Sequence, residues 1–158
     1  MQTTIDRNRR GGIRGRGRRR RARPVVLATL SSSVDPDAER LAIASCLDAG
    51  VRLVLVNAIT APACPRTIHM GLLDPTREDY DAVRETAERA AEYGIRVEHL
   101  RVTTPRPGKA IVAIAHEWAA GLLVLGPKRR RLFLRRWRFR RVAREIRRSA
   151  SCLIWIAA

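Results

Sequence analysis

Five short apolar runs punctuate residues 25–156, and each is parted from the next by a stretch with helical punctuation. Val25-Val26-Leu27-Ala28-Thr29-Leu30, Leu53-Val54-Leu55-Val56, Leu122-Leu123-Val124-Leu125 and Leu153-Ile154-Trp155-Ile156 are nearly continuous in aliphatic residues. Strands covered on both faces read this way, because neither face meets water. Ile95 to Val102 is a further strand, with partial alternation.

The segments between carry start and stop signals. After a Ser31-Ser32-Ser33 turn, Asp35 can accept from free helix-end N–H groups, and Pro36 suits the first helical position. The helix through Leu41, Ala44, Cys46 and Leu47 is expected to stop at Gly50. A Pro-containing loop spans Thr60 to about Leu73, and Asp74-Pro75 then opens a second helix through Tyr93, ended by Gly94. Pro107-Gly108 leads into a third, through Ile111, Ile114, Ala115 and Trp118. Gly126-Pro127 closes the strand before the last helix, where Phe139, Val142, Ala143, Ile146 and Ala150 mark one apolar face. Whether that helix reaches back to Trp137 is open at this level.

Strands alternating with helices imply right-handed crossovers and a parallel sheet covered on both faces. The fold class expected for residues 24–158 is a doubly wound five-stranded α/β domain. Ligands of such sheets sit beyond the carboxyl ends of the strands, where the strand order reverses. Leu30-Ser31, Asn57 and Gly126 onward are the walls to expect there.

Charge narrows the function. The chain has 158 residues, with 32 Lys or Arg against 15 Asp or Glu, a formal +17. Residues 1–24 carry +9 and residues 127–148 carry +11, leaving −3 for the rest. The basicity is therefore two blocks on a mildly acidic domain. Residues 1–23 hold too little apolar surface to offset ordering entropy, and a disordered Arg/Gly-rich arm is expected there. With 46% hydrophobic residues the remainder suits one globular domain. No apolar run nears the roughly 18 residues of a membrane span. The apolar stretch after the basic N-terminus is too short for a signal peptide, and Cys46, Cys64 and Cys152 form no CxxC pair. A cytoplasmic protein is expected. His69, His99 and His116 have no metal-ligand spacing, Lys109 belongs to no P-loop, and no catalytic arrangement can be argued. A non-enzyme without a metal is the expectation.

Pro107-Gly108-Lys109-Ala110-Ile111, Trp118 through Gly126, Val142-Ala143-Arg144-Glu145-Ile146 and Ser151 through Ile156 together resemble the universal stress protein family. The resemblance covers about residues 24–157 and implies a stress-response role. Nucleotide-binding members resemble one another in an Asp ending the first strand and a G-x2-G-x9-G-[ST] loop after the fourth. Here Leu30 stands at the Asp position, Gly126 at the first glycine and Arg129 at the second. The third falls at Phe139 or Arg140, the hydroxyl at Arg140 or Arg141, and Gly121 replaces the usual Asp before the fourth strand. Side chains at the lost glycines would crowd a backbone phosphate cradle. The resemblance thus implies a binding or regulatory module without the ordinary ATP mode and with no required cofactor. It also implies a homodimer joined through Leu153, Ile154, Trp155 and Ile156.

Three readings of Lys128–Arg148 stay open. It can be a solvated helix face. It can bind a nucleotide or other phosphate at Gly126 with Lys128, Arg129, Arg140 and Arg141, because arginine grips phosphate without a glycine loop. It can also join the residue 1–23 arm in contacting nucleic acid or another anionic surface.

Overall fold

The computed structural model describes residues 23–30, 33–60, 77–126 and 133–157, with side chains of its second and fourth helices described from Val83 and Phe139 onward. Among the described residues nine elements alternate: β1 (Val25–Thr29), α1 (Pro36–Ala49), β2 (Leu53–Thr60), α2 (Arg77–Glu92), β3 (Val97–Thr104), α3 (Pro107–Glu117), β4 (Leu122–Leu125), α4 (Phe133–Ser149) and β5 (Leu153–Ile156). The five strands form one sheet in the order β3-β2-β1-β4-β5, every pair parallel. This is the expected doubly wound fold. The order reverses between β1 and β4, which places the ligand edge at Thr29 and Leu125.

Strand alternation sorts the core into two layers. Leu27, Leu53, Leu55 and Val124 face α1 and α2, together with Ala38, Ala42 and Val83. Val26, Val54, Val56, Leu123 and Leu125 face α3 and α4, with Ile111, Val142 and Ile146. Each fully buried Leu or Ile contributes roughly 1.5–3 kcal/mol, so the central strands carry much of the stability.

The caps act as expected. Asp35 accepts from the Asp37 and Ala38 amides at 3.0 and 3.2 Å, with Pro36 at the first helical position. Gly50 and Gly94 take left-handed φ values of 62° and 75°, which a Cβ would disfavour. The end of α3 is different, since Ala119 takes a φ of 49° with a side chain present.

Several boundaries differ from expectation. β2 runs on past Val56 to Thr60, and β3 begins at Val97 and reaches Thr104. Pairing decides this: Ala58, Ile59 and Thr60 find Val102, Thr103 and Thr104 across the ladder. Ile95 is apolar for a different reason, being buried beyond the end of α2. α4 begins at Phe133, so Trp137 lies within the helix. The arm, the Asp74-Pro75 start, His69 and Cys64 lie outside the described residues.

Candidate functional site

The carboxyl edge of the sheet at the β1–β4 switch is built by three turns of chain. β1 ends at Thr29, whose hydroxyl donates to the Ser33 carbonyl at 2.9 Å. Asp35 then folds α1 back across the edge. Its amide donates to the Gly126 carbonyl at 2.8 Å, while the Gly126 amide donates to the Ala28 carbonyl at 3.0 Å. Both polar backbone groups of Gly126 are therefore engaged from within the chain.

Gly126 is also closed sterically. A Cβ built there would overlap the Ala38 side chain and lie 3.4 Å from the Cβ of Asp35. Glycine is required at this position for close approach of α1. The first-turn amides of α1 are engaged too, since Asp37 and Ala38 donate to the Asp35 carboxylate and Glu39 donates to the Asp35 carbonyl at 2.9 Å. A helix N-terminus is otherwise an anion seat; this one is filled by the chain's own carboxylate.

Asn57 sits two residues beyond Leu55 on β2, in register with Thr29 on one side and Arg101 on the other. It is 6% exposed, and its side-chain carbonyl oxygen has no hydrogen-bond partner among the described residues. A buried unpaired carbonyl costs about 1–3 kcal/mol, so it marks a place where a donor would be welcomed.

Glu39 holds α1 to α2. Its oxygens accept from Arg89 Nε at 2.5 Å and Nη2 at 2.9 Å, and the buried Thr86 hydroxyl donates to it at 3.0 Å. Burial pushes the Glu39 carboxyl up, but the bonds from Arg89 and Thr86 together outweigh it and hold the group below its ordinary range. The bond to Glu39, with a smaller contribution from Glu85, raises Arg89 above its ordinary value against the opposing effect of burial. On the opposite layer, Glu145 of α4 lies over the first turn of α3, and a Cβ at Gly108 would overlap its carboxylate. The negative charge there faces the positive end of a helix dipole.

Of the residues the sequence nominates, Gly126 lies at the switch point and Arg140 and Arg141 are exposed on α4. Lys128 and Arg129 lie outside the described residues, and so therefore does the five-residue arrangement as a whole. Leu30 is half-buried at the end of β1, as its position required. Ala38 is an edge residue that sequence reasoning passed over, and Asp35 one that it read only as a helix cap. The Asp-Pro cap signal marked Asp35, but nothing in the sequence shows that α1 closes on Gly126. Among the described residues no group of three or more His, Cys, Asp or Glu could hold a metal, and no helix is long and apolar enough to cross a membrane.

Comparisons with known proteins agree with this architecture. The model of the universal stress protein family matches residues 21–157. A universal stress protein from Archaeoglobus fulgidus in complex with dAMP is similar at a TM-score of 0.54 and 24% identity, covering 85% of this chain and 96% of that one. Another, in complex with cAMP, gives a TM-score of 0.57 at 22% identity, covering 86% and 97%. A family member from Arabidopsis thaliana with AMP bound gives 0.51 at 13%, covering 84% and 90%. No curated protein matches the sequence. With its order of elements, its parallel sheet and a family match across the domain, the chain belongs to the universal stress protein family.

Proposed function

We propose that this chain is a non-catalytic, dimeric binding or regulatory module of the cytoplasm that does not hold ATP in the family's ordinary way. The observation that carries the reading is the state of Gly126. The backbone donor that a glycine cradle would offer to phosphate is bonded to Ala28, and α1 packs against the same residue. Leu30 replaces a polar group at the end of β1, and Arg129, with either Phe139 or Arg140, stands where backbone would have to approach phosphate closely. Dimerisation is supported by the position of β5 at the sheet edge, where Leu153 is 75% exposed. An exposed apolar edge invites a partner strand.

A thermal-shift screen of the full chain against ATP, ADP, AMP and cAMP tests this reading. A ligand at 100 times its Kd stabilises by about 2.7 kcal/mol, several degrees for a domain of this size. No shift at millimolar nucleotide is the expected result. A saturable shift would contradict it.

Such a shift would favour a second reading, which the unpaired Asn57 oxygen supports. There a nucleotide or other phosphate compound offers an N–H to Asn57, and its phosphate meets arginine side chains, Arg140 and Arg141 among them, in place of the glycine loop. Loss of the shift in Asn57→Leu would then support that reading.

A further inference from the structure

Charge is distributed unequally over the two faces of this domain. On the α1/α2 side, arginines meet acids: Arg40 with Asp37, Arg84 with Glu88 at 2.7 Å, and Arg89 with Glu39. On the other side, α4 exposes Arg140, Arg144, Arg147 and Arg148. Among the described residues no carboxylate lies within bridging distance of these four. The one acid in the α4 sequence, Glu145, is turned onto Gly108 of α3 and does not offset them.

The four arginines form a stripe. Positions 140, 144 and 147 follow i, i+4, i+7 spacing, so they share one helical face, with Arg148 beside it. Eight residues of helix span about 12 Å. One strand of a duplex presents a phosphate about every 3.4 Å along its axis, so the stripe runs alongside roughly three or four phosphates.

We infer that the outer face of α4 is a docking surface for the phosphate backbone of duplex nucleic acid, read without regard to base sequence. Charge favours any polyanion, and the helix itself separates nucleic acid from lipid. Its apolar residues Val142, Ala143 and Ile146 are buried against α3 and the sheet. A helix that lies in a membrane interface must offer an apolar face to the acyl chains, and from Phe139 onward, where its side chains are described, α4 has turned that face to the core. Arg106 and Lys109 are further exposed cations at the start of α3, the helix whose Gly108 lies against Glu145 of α4. The inference goes beyond the proposed function, and of its four arginines only Arg140 is shared with the nucleotide reading of the switch point.

The test is anisotropy with a labelled 20-base-pair duplex of arbitrary sequence, using the full chain across a salt series. Four phosphate contacts contribute about −3.6 to the slope of log K against log salt, or ~10²-fold in affinity between 50 and 200 mM. The variant Arg140→Gln, Arg144→Gln, Arg147→Gln, Arg148→Gln should lose about 3 units of slope. The same four positions changed to Lys should keep the slope, which separates charge from folding. A matched variant in the N-terminal arm, Arg18→Gln through Arg21→Gln, controls for generic basicity. The inference is overturned if the full chain does not bind the duplex at 50 mM salt. It is equally overturned if the α4 Gln variant keeps its slope within one unit, or if the four arginines serve phosphatidylglycerol vesicles and not DNA.

Discussion

The Ala38 methyl occupies the space that a side chain at residue 126 would need. Because that obstacle is fixed on the first turn of α1, neither it nor β4 can yield cheaply. Gly126→Ala should destabilise the fold by about 1–3 kcal/mol, the usual cost of overpacking. Ala38→Gly costs roughly 1 kcal/mol alone through helix propensity. In the double variant the two losses should add to less than their sum, as urea denaturation of all four proteins would reveal. Strict additivity would mean that the two residues do not meet.

Gly108 offers the contrasting case. The obstacle there is the far end of the Glu145 side chain, which can swing away. Gly108→Ala should therefore cost little, about 0.3–1 kcal/mol, the value of a carboxylate at a helix N-terminus. In a Glu145→Ala background the same change should become stabilising, because alanine is the better helix former. A cost that persists without Glu145 would remove it as the cause.

Ala119 ends α3 in the left-handed region at φ 49°, where alanine is strained by about 1 kcal/mol. Replacing it with glycine relieves the strain while adding freedom to the unfolded chain. Ala119→Gly should leave stability unchanged or raise it by up to roughly 1 kcal/mol, measured by thermal unfolding. Glycine placed at Ala113, in the exposed middle of the same helix, should instead destabilise.

Glu39 links stability to acid. Its carboxyl is held below the ordinary 4.5 by Arg89 and Thr86 despite burial. A group with a depressed folded pKa contributes fully above its unfolded pKa and loses that contribution as pH falls through the folded value. Stability should therefore decline below about pH 4.5 on this account, and Glu39→Gln should flatten that limb while lowering stability near neutrality by about 1–3 kcal/mol. Denaturant midpoints across the acid range compare the two proteins. An unchanged acid limb in Glu39→Gln would assign the decline to other carboxylates.

Burial pushes the Cys46 thiol up to about 11 and raises that of Cys152 as well. Native protein at pH 8 should leave Cys46 unmodified by a thiol reagent until denaturant is added, as peptide mapping would show. Rapid native labelling of Cys46 would mean that α1 opens readily from β1.

What could be read in the sequence follows from where each signal is written. β1, β4 and β5 and the ends of α1 were legible because burial on both faces leaves unbroken aliphatic runs, and Asp35-Pro36 and Gly50 act through local backbone chemistry. The far end of β2 was not, because Asn57 and Thr60 are polar and only their pairing with β3 makes them strand. The start of α4 was hidden because Phe133, Leu134 and Trp137, set among arginines, do not continue the apolar period of Phe139, Val142 and Ile146. At the site, the sequence marked Leu30, Asn57 and Gly126 but could not show that α1 folds over Gly126. Likewise, Glu39 and Arg89 look like surface charges on amphipathic helices, and only the packing of α1 on α2 brings them together.

The most direct test of the account is a crystal structure of the full chain grown with millimolar ATP. It should contain no nucleotide between Leu30 and Gly126, with the Gly126 amide still bonded to the Ala28 carbonyl and its carbonyl to Asp35. Triphosphate density seated on the Gly126 amide, with α1 displaced from it, would contradict the account.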